Sequence, residues 1–275
     1  MIYLRTGNLL MDRERMEICW YAVRPILIYL VLFITIRSIL YRLLESILLG
    51  TSADMANYYA VWNDLAGLMI LAVSSAGAFI PVLREGQREV LRVRARRNRT
   101  WISARKDSGI LIGILPFGTI CLSILLNLAL ASDTGADPMG RATVPLAAAV
   151  YGLLTPFIEE VLYRGILMHR LRRGFRPLWA ALISSLIFGT AHGNLRQAVY
   201  AFAMGIVFAF GYELTGQFEV PFLLHSACNL MALAGSAFCL FDLMGSPMWI
   251  LFLAVGSCCT FAYWARRLWE TNYKL

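Results

Sequence analysis

Charge is scarce in this chain. Asp, Glu, Lys and Arg make up 15% of its 275 residues, where a soluble globular domain carries about 25%. Apolar residues fill 59% instead, and the mean hydropathy is +0.64. These figures exclude an ordinary soluble fold and mark a polytopic helical membrane protein. The six cysteines form no C-x-x-C pair, so neither a disulfide framework nor a thiolate zinc site is expected. Buried Cys serves as a small hydrophobe. H-E-x-x-H, which sets two zinc ligands and a base on one helix, is missing. No internal repeat is evident, which argues against an inverted-repeat transporter. A secretory signal is not expected either, because Arg5, Asp12, Arg13, Glu14, Arg15 and Glu17 interrupt the first apolar pieces. That tail reads as a cytosolic extension or a surface amphipathic helix.

What the chain does have is a series of apolar runs, each near the roughly 20 residues that cross a bilayer. Polar breaks mark off eight expected spans: 25–41, 59–83, 109–131, 143–162, 177–192, 198–212, 220–241 and 247–265. Nine of the 25 basic residues fall in the loop 84–106 and five in 164–176, while 42–58, 132–142 and 193–197 hold one apiece. With eight spans the basic clusters all lie on one side, the cytoplasmic one by the positive-inside rule, and both termini are cytoplasmic. The net charge of +8 then reports orientation rather than nucleic-acid binding. The loop 84–106 is either a plain topogenic loop or an amphipathic helix on anionic lipid.

A few polar side chains lie inside these runs. Glu159 and Glu160 sit side by side in TPFIEEVLYRG. An ionised side chain at membrane depth costs about 2.5–3.5 kcal/mol on insertion scales, so it survives where it has a task or a partner. Residues four apart share a helix face, which sets Glu160 beside Arg164 and Glu159 beside Tyr163. Adjacent glutamates point about 100° apart, so a division of roles is expected. One carboxylate faces the reacting centre, and the other pairs with Arg164. His192 follows Phe188 by one turn, and His225 precedes Asn229 by four residues. Taken singly, each is most simply a packing or interhelical hydrogen-bonding residue. Together, on successive apolar helices, they look like a hydrolytic site.

The motifs E-E-x-x-x-R (Glu159 to Arg164), F-x-x-x-H (Phe188 to His192) and H-x-x-x-N (His225 to Asn229) resemble the three signatures of the CPBP intramembrane proteases, the CAAX-protease and bacteriocin-processing group. The resemblance covers about 143–241, leaving 1–142 as a tail with three spans and 242–275 as a last span with its tail. It implies an all-α fold of about eight transmembrane helices around an intramembrane catalytic cavity in a bacterial cell membrane. It implies that Glu159 and His192 activate a water, that His225 and Asn229 form an oxyanion hole, and that Glu160 and Arg164 support them. The expected substrate is a membrane-associated peptide or protein reached within the lipid bilayer, with no nucleic acid involved. No cofactor is expected on the metal-free glutamate reading. The alternative is a zinc ion held by Glu159, His192 and His225, since catalytic zinc takes three such ligands and a water. Two other readings stand beside the enzyme: a transporter that uses the charges as a proton relay, and a non-catalytic scaffold or immunity protein that keeps the site as a relic.

Overall fold

A computed structural model describes the backbone of residues 2–48, 56–100, 108–130, 143–238 and 240–272, with side chains described over 13–47, 65–90, 115–130 and most of 143–263. The protein is an all-α polytopic membrane protein. Among the described residues the helices are α1 (Ile2–Leu48), α2 (Ala56–Thr100), α3 (Ser108–Leu130), α4 (Val144–Leu171), α5 (Pro177–Thr190), α6 (Leu195–Thr215), α7 (Glu219–Ala237), the short α8 (Leu240–Met244) and α9 (Pro247–Asn272). Five of them contain stretches long and apolar enough to cross a membrane: Arg13–Ile47, Leu65–Val90, Val144–Leu171, Leu195–Glu213 and Glu219–Ala237. Shorter apolar stretches occupy Leu115–Leu130, Pro177–Thr190 and Pro247–Tyr263. These eight regions coincide in position with the eight expected spans.

Helix ends depart from expectation in three places. The second span was expected to stop at Leu83 before a basic loop, but α2 continues to Thr100. Arg84–Thr100 contains no proline and only one glycine, Gly86, and arginine and glutamate extend a helix at little cost. The N-terminal tail is likewise the start of α1 rather than a separate element. The seventh span, expected to run to Phe241, breaks after Ala237, and the chain folds back so that the Phe241 ring lies on Gly235, with no room for a Cβ there. The weakly basic connections at 49–55 and 131–142 lie outside the described residues.

The innermost element is α4. Every residue of Val161–Met168 is buried, Arg164 included. It is wound irregularly, with π-helical stretches at Val150–Leu154 and Val161–Met168 on either side of an α-helical Thr155–Glu160. Pro156 accounts for the first stretch. It has no N–H to donate, and the Thr155 N–H reaches back five residues to the Val150 carbonyl. The main core packs α4 residues such as Ile158, Leu162 and Ile166 against Ile26 of α1, Phe79 of α2, Phe188 of α5 and Ala209 of α6.

The turn joining α5 to α6 is well specified. Asn194 caps α6, its Oδ1 accepting the Gln197 N–H at 2.9 Å, and Gly216 closes the far end with φ 59°, a conformation that favours glycine. The two helices pack closely at Gly189, where a Cβ would lie 2.8 Å from the Ala198 carbonyl oxygen and 3.0 Å from Phe202 Cβ. Small residues permit this approach between membrane helices. Because the nearest atom belongs to backbone, Gly189→Val is expected to lower stability by about 1–3 kcal/mol, read as a fall in Tm in detergent. A Tm at or above wild type would show that the crossing is not tight.

Candidate active site

The site is organised by a fully buried ion pair. Glu160 and Arg164 have no exposed side-chain surface, and Arg164 Nη1 donates to Glu160 Oε1 at 2.9 Å. An arginine in this position needs more than one partner. Its Nη2 donates to the Gly205 carbonyl of α6 at 2.9 Å, and its guanidinium lies 4.9 Å from the Phe188 ring centroid and 5.5 Å from that of Phe208. Cation–π contact of this kind offsets lost hydration where water is excluded. Gly205 is required for the fit, since a Cβ there would sit 3.1 Å from Phe188 and 3.3 Å from Arg164 Nη2.

His225 of α7 joins the two glutamates. Its Nδ1 lies 2.9 Å from Glu160 Oε1, the same oxygen that Arg164 engages. A carboxylate oxygen accepting from Arg164 also accepts here, so Nδ1 carries the proton. On the opposite edge of the ring, Nε2 is 3.6 Å from Glu159 Oε2. The ring stacks on Phe208 at 4.9 Å between centroids and meets Phe188 edge-on at 5.7 Å. The 100° divergence of the two glutamates is therefore met by one imidazole that presents a nitrogen to each. Glu160 is enclosed, whereas the Glu159 side chain keeps 19% of its surface accessible.

His192 approaches from the turn after α5, just past the helix end at Thr190. The carbonyl of Phe188 can only accept, so its 2.9 Å contact with His192 Nδ1 puts the proton there and leaves Nε2 with a lone pair. The ring packs edge-on to Phe188 at 4.9 Å, and Glu159 interacts electrostatically with both His225 and His192. Tyr163, one turn from Glu159, is buried against Phe188 at 5.0 Å.

Asn229 lies one turn beyond His225, and its Nδ2 donates to the Tyr151 carbonyl at 2.9 Å. Tyr151 stands five residues before Pro156, where a π-wound backbone would look for an N–H that proline lacks. The asparagine fills that vacancy with one of its two amide hydrogens and keeps the other. The structure thus joins Glu159, Glu160, Arg164 and His225 directly, brings in His192 through Phe188 and Glu159, and fixes Asn229 on the helix that carries His225. Sequence reasoning missed Phe208, the Gly205 carbonyl and the Tyr151 carbonyl. Of these, only the last had a signal, the proline that frees it.

For the zinc alternative the test is whether three donors converge. Among the described residues no group of three or more His, Cys, Asp or Glu side chains is arranged to hold a metal ion. The residues as placed do not form that ligand set.

Residues 141–231 match the family described as Rce1-like, Type II CAAX prenyl endopeptidase Rce1-like. The chain is similar to the "Putative membrane peptidase YdiL" of Bacillus subtilis (strain 168), at 37% identity over 86 residues, covering 31% of this chain and 35% of that protein. It is also similar to the "Membrane-embedded CAAX protease MroQ" of Staphylococcus aureus (strain USA300), at 26% identity over 92 residues, 31% of this chain and 37% of that protein. The matches span about a third of the length of these relatives. No solved structure gives a significant match. Over residues 141–231 the chain is thus similar to membrane-embedded proteases of the Rce1-like CAAX type.

Removing Arg164 should leave Glu160 as a buried carboxylate that has lost its cation, at a cost of about 3–5 kcal/mol. Arg164→Ala is therefore expected to lower Tm in detergent as well as activity. Lost activity with an unchanged Tm would move Arg164 from support into the chemistry.

Proposed function

We propose that the protein is an intramembrane endopeptidase that hydrolyses a peptide bond in a membrane-associated protein or peptide. The observation that carries this reading is His225 bridging the two glutamates, 2.9 Å from Glu160 and 3.6 Å from Glu159. That arrangement separates a sealed, charge-paired carboxylate from a second one left accessible. Such asymmetry suits a base that must meet water, with a neighbour that holds the machinery in place. A proton relay would be served as well by two equivalent carboxylates.

In the proposed reaction Glu159 accepts a proton from a water held by His192 Nε2, and the water oxygen attacks the scissile carbonyl carbon. The resulting oxyanion takes hydrogen bonds from the free amide hydrogen of Asn229 and from His225 Nε2. Because Nδ1–H is committed to Glu160, donation from Nε2 requires the doubly protonated ring. Collapse of the intermediate breaks the C–N bond, and the proton on Glu159 passes to the departing amine. Atoms and charge balance without a cofactor. With the basic clusters inward, both termini face the cytoplasm, and substrate enters from that side or from the lipid.

Glu159→Ala and His192→Ala are each expected to abolish cleavage of a membrane-presented peptide while expression and Tm hold. Retained turnover in either would sink the assignment. Asn229→Ala should lower kcat by about 10²–10³ with little change in KM, because the lost bond is strongest when the oxyanion forms. The metal-free reading further expects phenanthroline to leave activity intact. Stoichiometric zinc that tracks activity through purification would replace it with the zinc mechanism.

A further inference from the structure

A second concentration of buried charge lies at the far end of α4, about ten residues beyond Glu160. Arg170 is 2% exposed. Its Nε donates to Glu89 Oε1 at 3.3 Å, its Nη2 to Glu85 Oε2 at 2.8 Å and its Nη1 to the Tyr21 carbonyl at 2.8 Å. The guanidinium lies 3.9 Å from the Tyr21 ring centroid. Glu89, itself 1% exposed, also pairs with Arg173 at 3.4 Å and with His169 Nε2 at 3.6 Å. Arg24 completes the set, 3.6 Å from Glu85.

The Tyr21 carbonyl is open to Arg170 for a reason written in the sequence. In an α-helix it would accept from the N–H four residues on, and that residue is Pro25, which has none. One guanidinium thus ties α4 to α1 through a vacated backbone acceptor and to α2 through two carboxylates. Neither α1 nor α2 lies within the residues that match the family.

Between this hub and the glutamates runs the π-wound stretch Val161–Met168. Such stretches are rare and are frequently found at functional sites. Rewinding one to α-helix shifts the register by a residue, about 100° around the axis. Upstream, α4 is held by Asn229 at Tyr151 and by Arg164 at Gly205; downstream, by Arg170. We propose that Arg170 is a positioning residue for the site. By fixing the end of α4 against α1 and α2, it keeps the π stretch wound and holds Glu159 and Glu160 on the two nitrogens of His225. The inference rests on the protease reading for its kinetic arm only.

The test uses the full chain in detergent with Arg170→Lys, Arg170→Gln and Pro25→Ala, each assayed well below its own Tm. Lys keeps the charge but cannot reach Glu85, Glu89 and the Tyr21 carbonyl together. Pro25→Ala leaves every charge in place and returns an N–H that competes for that carbonyl. Arg170→Lys and Arg170→Gln are expected to lower kcat by about 10²-fold, the scale of a 1 Å misplacement at a reacting centre, with KM little changed. Pro25→Ala should act in the same direction and more weakly. The chain has only three histidines, so ring-nitrogen NMR of histidine-labelled protein reports His225 without any substrate. Its two signals should move in Arg170→Lys as the contact with Glu160 loosens.

A wild-type kcat per folded molecule in Arg170→Gln would reduce Arg170 to a stability role, and full recovery by Lys would show that charge alone suffices. Either overturns the proposal. Should wild-type protein cleave nothing, the protease reading fails by itself, and the NMR arm still decides: unmoved His225 signals in Arg170→Lys refute the positioning role.

Discussion

The bond between Arg164 and Glu160 is the constraint from which the rest of the site follows. Both side chains are fully buried, and a charge in that position is made tolerable by further partners, although Glu160 Oε2 and Arg164 Nε find none among the described residues. Each partner therefore recruits another element. Arg164 takes the Gly205 carbonyl of α6 and the ring faces of Phe188 and Phe208, and Glu160 takes His225 of α7. Four helices are drawn together by the need to neutralise one pair. Glu159 and His192 sit where that convergence leaves them.

The same logic repeats in the backbone. Pro156 and Pro25 each remove an N–H from a helix interior, and near each a side chain from another helix takes up a carbonyl: Asn229 at Tyr151 and Arg170 at Tyr21. In a bilayer an unmet backbone carbonyl has no water to turn to. The prolines thus act as sockets that specify where a distant helix must dock. They do so more sharply than apolar packing, which tolerates sliding.

Much of this was legible in the residues alone. Ionisable and strongly polar groups are so costly at membrane depth that Glu159, Glu160, Arg164, His192, His225 and Asn229 stand out against 59% apolar residues, and four-residue spacing sufficed to pair Glu160 with Arg164. The eight apolar regions were visible for the same reason. What could not be read was everything that depends on backbone acceptors or on winding. A carbonyl has no letter in the sequence: Gly205 gave no sign of its role, and Tyr151 only the indirect one of Pro156 five residues on. Nor does periodicity reveal a π stretch, which alters the register only locally. The continuation of α2 through Arg84–Thr100 was hidden because a basic run continues a helix as readily as it forms a loop.

The shortness of α5 has a consequence for the lipid. Its 14 residues span about 21 Å, while the hydrocarbon layer is about 30 Å thick. A helix that falls short by a third leaves the bilayer to thin around it or polar surroundings to reach in at its end. That end is where the chain turns at His192. Such a mismatch would leave a shallow, wettable dimple in the lipid above His192. Solvent would enter there toward Glu159, while Glu160, with no exposed side-chain surface, stays dry.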